Sequence, residues 1–184
     1  MAKINLGLDV LGKREDGYHE VRMIMQTIRM YDILDIRKTR RPGIVLTTNL
    51  PFIPTDQRNL VYKAAQMLME EFDVEEGLSI KLRKFIPVAA GMAGGSSDAA
   101  AAFVGVNRMF HLGLTEEQLM ERAVKVGADV PYCIMRGTAL AEGIGEKLTR
   151  LPGLPKCYVL VGKPGINVST KLAYENLHLD QIQS

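Results

Sequence analysis

Apolar and polar residues alternate at several places along the chain, which is the pattern of half-buried β-strands. In the first such stretch the polar positions start at Lys3 and Asn5, the apolar positions start at Ile4, and the alternation continues to Val10. We expect the apolar side chains to point inward and Lys3 and Asn5 to lie side by side on the other face. The pattern predicts strands at residues 3–10, 21–29, 33–38, 43–48, 78–84 and 138–142.

Helical periodicity predicts three helices, at residues 60–72, 97–109 and 115–126. The third opens with Thr115-Glu116-Glu117-Gln118, the pattern of a capping box. Most strands precede the last two helices, and this order favours an α+β fold with helices on one face of a mostly antiparallel sheet. Pro152, Gly153 and Pro155 then interrupt the pattern before another predicted strand at residues 157–161.

A glycine-rich stretch, PVAAGMAGGSSDAAAA at residues 87–102, leads directly into the second helix. Glycine allows a close backbone approach to a ligand, and the first turn of a helix attracts anions. We expect Ser96 and Ser97 to cap this helix and a nucleotide polyphosphate to bind there. The alternative is a loop that only turns the chain and caps a helix. The stretch lacks the lysine of a P-loop and the spacing of G-x-G-x-x-G.

The glycine-rich stretch resembles the second signature of the GHMP small-molecule kinases, Pro-x-x-x-Gly-hydrophobic-x-Gly-Gly-Ser-Ser. Two further segments, AKINLGLDVLGKREDGYHEV at residues 2–21 and GADVPYCIMRGTALAEGIGE at residues 127–146, are similar to one branch of that family. This branch phosphorylates 4-diphosphocytidyl-2-C-methyl-D-erythritol in the non-mevalonate pathway of isoprenoid (terpenoid) biosynthesis. The resemblance extends over essentially the whole chain.

The resemblance implies the GHMP-kinase fold, which is α+β. Residues 1–152 would form its N-terminal, ATP-binding domain, with two layers as in some ribosomal proteins. Residues 153–184 would begin a C-terminal α+β domain that is truncated, since the third glycine-rich motif of the family is absent. The implied activity is transfer of a phosphoryl group from ATP with Mg²⁺ to a hydroxyl of the substrate, with no metal held by protein ligands alone.

The same resemblance implies two catalytic residues. Lys3 matches the catalytic lysine of the family, and Asp129 matches its general base, which takes the proton from the attacking hydroxyl. A nearby Lys3 would keep Asp129 ionised. From the sequence alone, Lys3 is equally compatible with a solvated strand face, and Asp129 with an ordinary turn residue.

The remaining implied site residues fall into two groups by ligand. Those that match ATP-binding positions are Pro87, Gly91, Gly94, Gly95, Ser96, Ser97, Asn59, Lys84 and Asn107. Those that match positions for the cytidine substrate are Asn5, Tyr18, His19, Thr170 and Tyr174. Without the resemblance, Asn59 is a good N-cap for the first helix and Lys84 is a surface lysine.

Composition is that of an ordinary soluble globular protein, with 47% hydrophobic and 24% charged residues and a net charge of +2. This balance gives no electrostatic reason to expect nucleic acid or a membrane as partner.

Cys133 and Cys157 share no metal-binding spacing, and we expect both to be buried and reduced. No secretory or transit segment is visible, which favours the bacterial cytoplasm. The expected partner is a small-molecule substrate, and the expected state is a monomer or homodimer.

Two other functions remain compatible with these residues. One is a different GHMP small-molecule kinase, which the AKINL segment and the glycine-rich stretch allow and the Gly17-Tyr18-His19 segment disfavours. The other is a catalytically silent nucleotide-binding or interaction protein built on the same fold, because a fold does not fix a function.

Overall fold

A computed structural model describes residues 1–163 together with residues 165, 173, 176 and 177. Within them the chain forms, in order, β1 (Lys3–Lys13), β2 (His19–Thr27), β3 (Ile33–Thr39), β4 (Ile44–Thr48), α1 (Leu60–Glu71), β5 (Gly77–Arg83), α2 (Gly94–Met109), α3 (Glu116–Ala123), α4 (Val130–Met135), β6 (Thr138–Gly143) and β7 (Lys147–Leu151). None of these helices is long and apolar enough to cross a membrane. The predicted α+β class is confirmed.

The strands form two sheets, not the single sheet expected from the sequence. One has the order β1-β2-β6-β7 and is antiparallel throughout. The other has the order β3-β5-β4, with β5 antiparallel to β3 and parallel to β4. Because β1 and β6 occupy the two edges of β2, β3 does not pair with the strand that precedes it.

The core lies between the helices and the inner faces of the sheets. Alternate residues of the central strands are buried, as for Met23 and Met25 of β2 and for Ile80 of β5. From the helices, Leu68 of α1 and Phe103 of α2 are fully buried in the same cluster. Burial of these side chains fixes α2 against the sheets, and α2 is the helix that follows the glycine-rich stretch.

A β-bulge in β1 changes which residues face inward. The register shifts between Asn5, which lies opposite Met25, and Gly7, which lies opposite Ile24. Residues opposite each other in an antiparallel pair share a face, so Lys3 and Asn5 lie on the inner face. Gly7 and Asp9 lie on the outer face.

The prediction that the polar residues of β1 share an outer face is therefore wrong. Lys3 is buried, although Asn5 is exposed, and Leu6 at the bulge is 46% exposed. A bulge adds one residue to a strand, and the period of two is broken at that point. The consequence for function is that the ammonium of Lys3 is carried into the protein interior.

The predicted helices agree with α1, α2 and α3 to within a few residues, and the capping box at Thr115 and Gln118 is confirmed. α4 and β7 were missed. The predicted strand at residues 157–161 is wrong, since these residues are neither helix nor strand and Tyr158 is fully exposed.

Cys133 is buried as expected, but Cys157 is exposed. The division into domains at residue 152 stays a prediction.

Two phenylalanines provide a test of the core. Phe103 is fully buried in α2, whereas the side chain of Phe52 is 68% exposed. We expect Phe103→Ala to lower the free energy of unfolding by about 3–5 kcal/mol, because it removes buried apolar surface and leaves a cavity. Phe52→Ala should change it by less than about 0.5 kcal/mol. Urea denaturation of both variants checks this, and similar losses would contradict the described position of α2.

Candidate active site

The glycine loop, which we define as residues 85–93, joins β5 to α2. Ile86 and Met92, near its two ends, are buried against Ala2. Between these anchors the chain arches outward, and Gly91 is exposed. Gly91 has φ +69°, a conformation that favours glycine, and a Cβ there would meet no atom within 4 Å. The loop therefore presents open backbone to a ligand while its ends are fixed.

The first turn of α2 keeps its backbone N–H groups free of side-chain caps. The N-cap is Ala93, in the left-handed conformation with φ 52°, and it makes no side-chain cap hydrogen bond. Ser96 and Ser97 do not cap the helix as expected, because the helix begins at Gly94 and both serines lie inside its first turn. The Ser97 hydroxyl donates to the Gly94 carbonyl at 3.0 Å. The N–H groups that open a helix lack intrahelical partners, so an anion can accept from them.

Lys3 lies directly beside the glycine loop. Its backbone N–H donates to the carbonyl of Met92 at 3.1 Å, and its ammonium donates to Asn5 Oδ1 at 3.1 Å. The expected pairing of the ammonium with the carboxamide is therefore present. The residue is only 6% exposed, and among the described residues its ammonium has no ionic partner within salt-bridge distance. A buried lysine is rarely left unpaired, so this ammonium is available to a bound anion.

Asp129 is the N-cap of α4, but its carboxylate makes no cap hydrogen bond. Within the part of the chain that the structure describes, no hydrogen bond or ion pair engages this carboxylate. The helix behind it is held by Tyr132, whose hydroxyl donates to the Gly137 carbonyl at 2.7 Å and lies 3.0 Å from the hydroxyl of Thr27. Asp129 is thus placed on a fixed helix with its acid group uncommitted.

Lys3 and Asp129 both influence the buried thiol of Cys133. Burial, as the main cause, and the negative charge of Asp129 together raise the pKa of Cys133 to about 12, while the charges of the N-terminal amine and of Lys3 act in the opposite direction. Among the described residues, no ion pair joins Lys3 to Asp129. In that part of the chain the site combines a cation without an ionic partner, a carboxylate without a cap hydrogen bond and a loop with open N–H groups.

Tyr18 and His19 lie at the opposite end of the β1–β2 hairpin from Lys3. His19 is paired with Lys13, whereas Lys3 is paired with Thr27. Along a straight strand, the eight residue-to-residue steps from His19 to Thr27 would span about 26 Å. The two ends of the hairpin are separate parts of the surface, joined by β1 and β2.

The hairpin turn is ordered by two residues that the sequence interpretation missed. Arg14 forms ion pairs with Asp16 at 2.9 Å and with Glu20 at 3.0 Å, and Asp16 accepts from the backbone N–H of Tyr18 at 3.0 Å. The hydrogen bonds from Arg14 and Tyr18 lower the pKa of Asp16. The local signal was the Arg-x-Asp-Gly spacing, which is typical of a turn closed by side chains.

Comparison with known proteins identifies the fold around this site. Residues 59–137 match the family described as GHMP kinases N terminal domain. That segment contains the glycine loop, α2 and Asp129. This stretch of the chain is similar to the N-terminal domain of GHMP kinases.

Relatives of this GHMP domain confirm the narrower resemblance. The chain is 57% identical over 176 residues to the 4-diphosphocytidyl-2-C-methyl-D-erythritol kinase of Lachnospira eligens, covering 96% of this chain and 61% of that protein. It is 58% identical over 180 residues to the enzyme of the same name from Lachnoclostridium phytofermentans, covering 98% and 62%. The chain thus spans less than two thirds of the length of these relatives.

Solved structures agree with the GHMP fold. A crystal structure of 4-(cytidine 5'-diphospho)-2C-methyl-D-erythritol kinase superposes with a TM-score of 0.82 at 32% identity, over 100% of this chain and 65% of the other. A homoserine kinase from Cytophaga hutchinsonii has a TM-score of 0.63 at 18% identity, covering 86% of this chain and 52% of that one. The second likeness concerns the fold alone.

Two asparagines of the GHMP domain, Asn59 and Asn107, hold backbone segments. Asn59 Oδ1 accepts from the N–H of Val61 at 2.9 Å, which confirms the predicted N-cap of α1, and its amide donates to the Pro54 carbonyl at 2.8 Å. Asn107 exchanges two hydrogen bonds with the backbone of Leu114, at 2.9 and 3.1 Å. Their contact with ATP stays a prediction. Thr170 and Tyr174 lie outside the described residues.

Lys84 is buried, which contradicts the surface position that its sequence context allowed. Its ammonium pairs with Asp32 and, at 2.7 Å, with Asp98, and all three side chains are at most 5% exposed. Burial raises the pKa of Asp98 to about 7. Burial opposes charge on Asp32 too, but hydrogen bonds from Lys84 and from the N–H groups of Phe85 and Ile86 hold its pKa below the usual value.

An open cavity of about 400 Å³ adjoins the other side of α2. Asp32, Ser97, Asp98, Arg108 and Arg136 are among its lining residues. Lys3, Asp129 and the exposed part of the glycine loop do not line it, so this cavity is separate from the predicted catalytic pair.

The backbone of Ala93 gives a test of the glycine loop. Because its φ is 52°, a β-branched residue should be strained there, and we expect Ala93→Val to lower the free energy of unfolding by about 1–3 kcal/mol. Ala93→Gly should leave the melting temperature unchanged or raise it, since glycine accepts this conformation. Thermal unfolding of both variants decides the point. A valine variant as stable as the glycine variant would contradict the left-handed N-cap.

Proposed function

We propose that the protein is an ATP-dependent kinase that phosphorylates a hydroxyl of 4-diphosphocytidyl-2-C-methyl-D-erythritol in the non-mevalonate isoprenoid pathway. The observation that carries the proposal is the buried ammonium of Lys3, which lies beside the glycine loop and has no ionic partner among the described residues. The carboxylate of Asp129, at the N-cap of α4, makes no cap hydrogen bond. The names of the relatives support the choice of substrate.

Phosphoryl transfer depends mainly on in-line placement and on neutralisation of phosphate charge. In the proposed reaction, Asp129 accepts the proton of the substrate hydroxyl as its oxygen bonds to the γ-phosphorus of ATP. The bond from that phosphorus to the bridging oxygen breaks, and ADP leaves with the electron pair. Lys3 stabilises the negative charge on the transferring group, and its effect is strengthened by its burial.

The nucleotide phosphates would be bound by the open N–H groups of the glycine loop and of the first turn of α2. The residues proposed for this role are Pro87, Gly91, Gly94, Gly95, Ser96 and Ser97, with Asn59 and Asn107 on the adenine side. Mg²⁺ that arrives with ATP supplies further neutralisation of phosphate charge. Lys84 differs from this group, because its ammonium is already paired, and we assign it an indirect role below.

The cytidine substrate would be held at both ends of the β1–β2 hairpin. We propose that Asn5, beside Lys3, orients the reacting end, while Tyr18 and His19 bind the cytosine base, with Thr170 and Tyr174 as further contacts. The proposed site of the reaction in the cell is the bacterial cytoplasm, as the named relatives come from bacteria.

Replacement of Asp129 tests its role as the base. We expect Asp129→Asn to lower kcat by about 10²–10⁴-fold, since the amide cannot accept the proton. The dissociation constant of Mg·ATP should stay within about twofold, because the role proposed for the carboxylate concerns the substrate hydroxyl and not the nucleotide. ADP release and calorimetry measure the two quantities.

Asp73→Asn is the matched control for this experiment. Asp73 is exposed, with φ 48°, and asparagine tolerates that conformation, so activity should be unchanged. Retained turnover in Asp129→Asn would remove Asp129 as the base. A wild-type chain that binds Mg·ATP without turnover would favour a silent nucleotide-binding protein.

Replacement of His19 tests recognition of the base. His19→Ala should raise KM for the cytidine substrate by about tenfold, the effect expected for one lost hydrogen bond of about 1.4 kcal/mol. KM for ATP should change little, because the hairpin turn lies away from the glycine loop. His111→Asn is the control, since His111 has φ 53° and asparagine tolerates this left-handed conformation. Equal increases in both KM values would indicate that His19 is only structural.

A further inference from the structure

We propose that Lys84 is the positioning residue of the glycine loop. By pairing with Asp32 and Asp98 at once, it fixes the start of the loop against the first turn of α2, so that the N–H groups of both keep the spacing that nucleotide phosphates require. The nucleotide ligand in this inference is taken from the proposed kinase function. The contacts that support the inference are all made within the protein itself.

The start of the loop is held by Asp32, which precedes β3. One carboxylate oxygen of Asp32 accepts from the ammonium of Lys84. The other accepts from the backbone N–H of Phe85 at 2.5 Å and from that of Ile86 at 2.8 Å. A single buried carboxylate thus fixes both the lysine side chain and the first two residues of the loop.

The backbone of Lys84 is also fixed, by Asn49 after β4. The N–H of Lys84 donates to Asn49 Oδ1 at 2.7 Å, and the Asn49 amide donates to the Lys84 carbonyl at 3.1 Å. Lys84 is a rigid support, because its backbone N–H and C=O are both engaged and its buried ammonium donates to two carboxylates.

The far end of the loop is held by the same ammonium. Asp98, in the early part of α2, is 3% exposed and accepts from Lys84 at 2.7 Å. Glycine at position 94 favours close approach of the helix, because a Cβ there would lie in tight contact, 3.2 Å from Lys84 Nζ and 3.1 Å from Ile86 Cγ2. Gly94 thereby allows α2 to pack onto Lys84, and the lysine bridges the two ends of the loop.

Burial of one ammonium with two carboxylates is not explained by stability alone. Each buried ion loses hydration, and apolar residues of similar volume often give equal or greater stability. The three charged side chains hold three segments in fixed positions relative to one another. These segments are the chain before β3, the chain after β5 and the start of α2. That geometry sets where the loop begins and where the helix N–H groups lie.

The variant Asp98→Ala separates positioning from folding. It removes the tie to α2 but leaves Lys84 and Asp32 as a balanced pair, and alanine favours the helix. We expect the dissociation constant and KM for Mg·ATP to rise about tenfold, with KM for the cytidine substrate within about twofold. Asp98→Asn, which keeps an acceptor oxygen for Lys84, should retain most of the ATP affinity.

Hydrogen exchange in the ligand-free chain gives a readout that does not depend on ATP. In Asp98→Ala, the amides of residues 85–93 should exchange about tenfold faster, while those of α1 stay unchanged. Glu117→Ala, which removes a carboxylate from the first turn of α3, is the control and should alter neither exchange nor ATP binding.

Three results would overturn the proposal: unchanged loop exchange in Asp98→Ala, equal weakening of ATP and cytidine substrate, or global unfolding of that variant, which would make the cluster a stability element. A wild-type chain that binds no Mg·ATP would instead contradict the kinase function. The exchange comparison would then still decide whether Lys84 holds the loop.

Discussion

The ion pairs of Lys84 with Asp32 and Asp98 remove three charged side chains from water, and the glycine loop depends on them. Dehydration of each ion costs several kcal/mol, and the cost is offset only where geometry and additional hydrogen bonds are good. Asp32 meets this condition through the N–H groups of Phe85 and Ile86. The same contacts that satisfy the buried charge therefore fix the first residues of the loop, and Gly94 lets α2 close against them.

The second constraint is the β-bulge of β1, which brings Lys3 into the interior beside the loop. Without the register shift after Asn5, the polar and apolar faces of the strand would stay in phase through Val10. With it, an ammonium that has no ionic partner among the described residues is buried near Met92. The N-cap residue of α4, Asp129, has a carboxylate that is not used for capping. Charges in such a partly dry site act on a bound phosphate more strongly than they would in water.

Much of the fold could be predicted from the sequence because strands and helices with one buried face carry a clear period. The bulge at Leu6 could not, since the alternation of residue types continues through it. α4 is six residues long and wholly buried, so it has no amphipathic period to detect. The ion pair of Lys84 with Asp32 joins residues 52 positions apart, and no local pattern encodes it. The catalytic candidates came from family resemblance, because a lone lysine and a turn aspartate carry no signal of their own.

The central claim is that the glycine loop and the first turn of α2 bind nucleotide phosphates. The most direct test is titration of the ¹⁵N-labelled chain with Mg·ATP, followed by the amide signals in heteronuclear NMR spectra. We predict the largest shifts at Gly91, Gly94, Gly95 and Ser96. Shifts confined to the cavity lined by Arg108 and Arg136, or no shifts at saturating ATP, would contradict the claim.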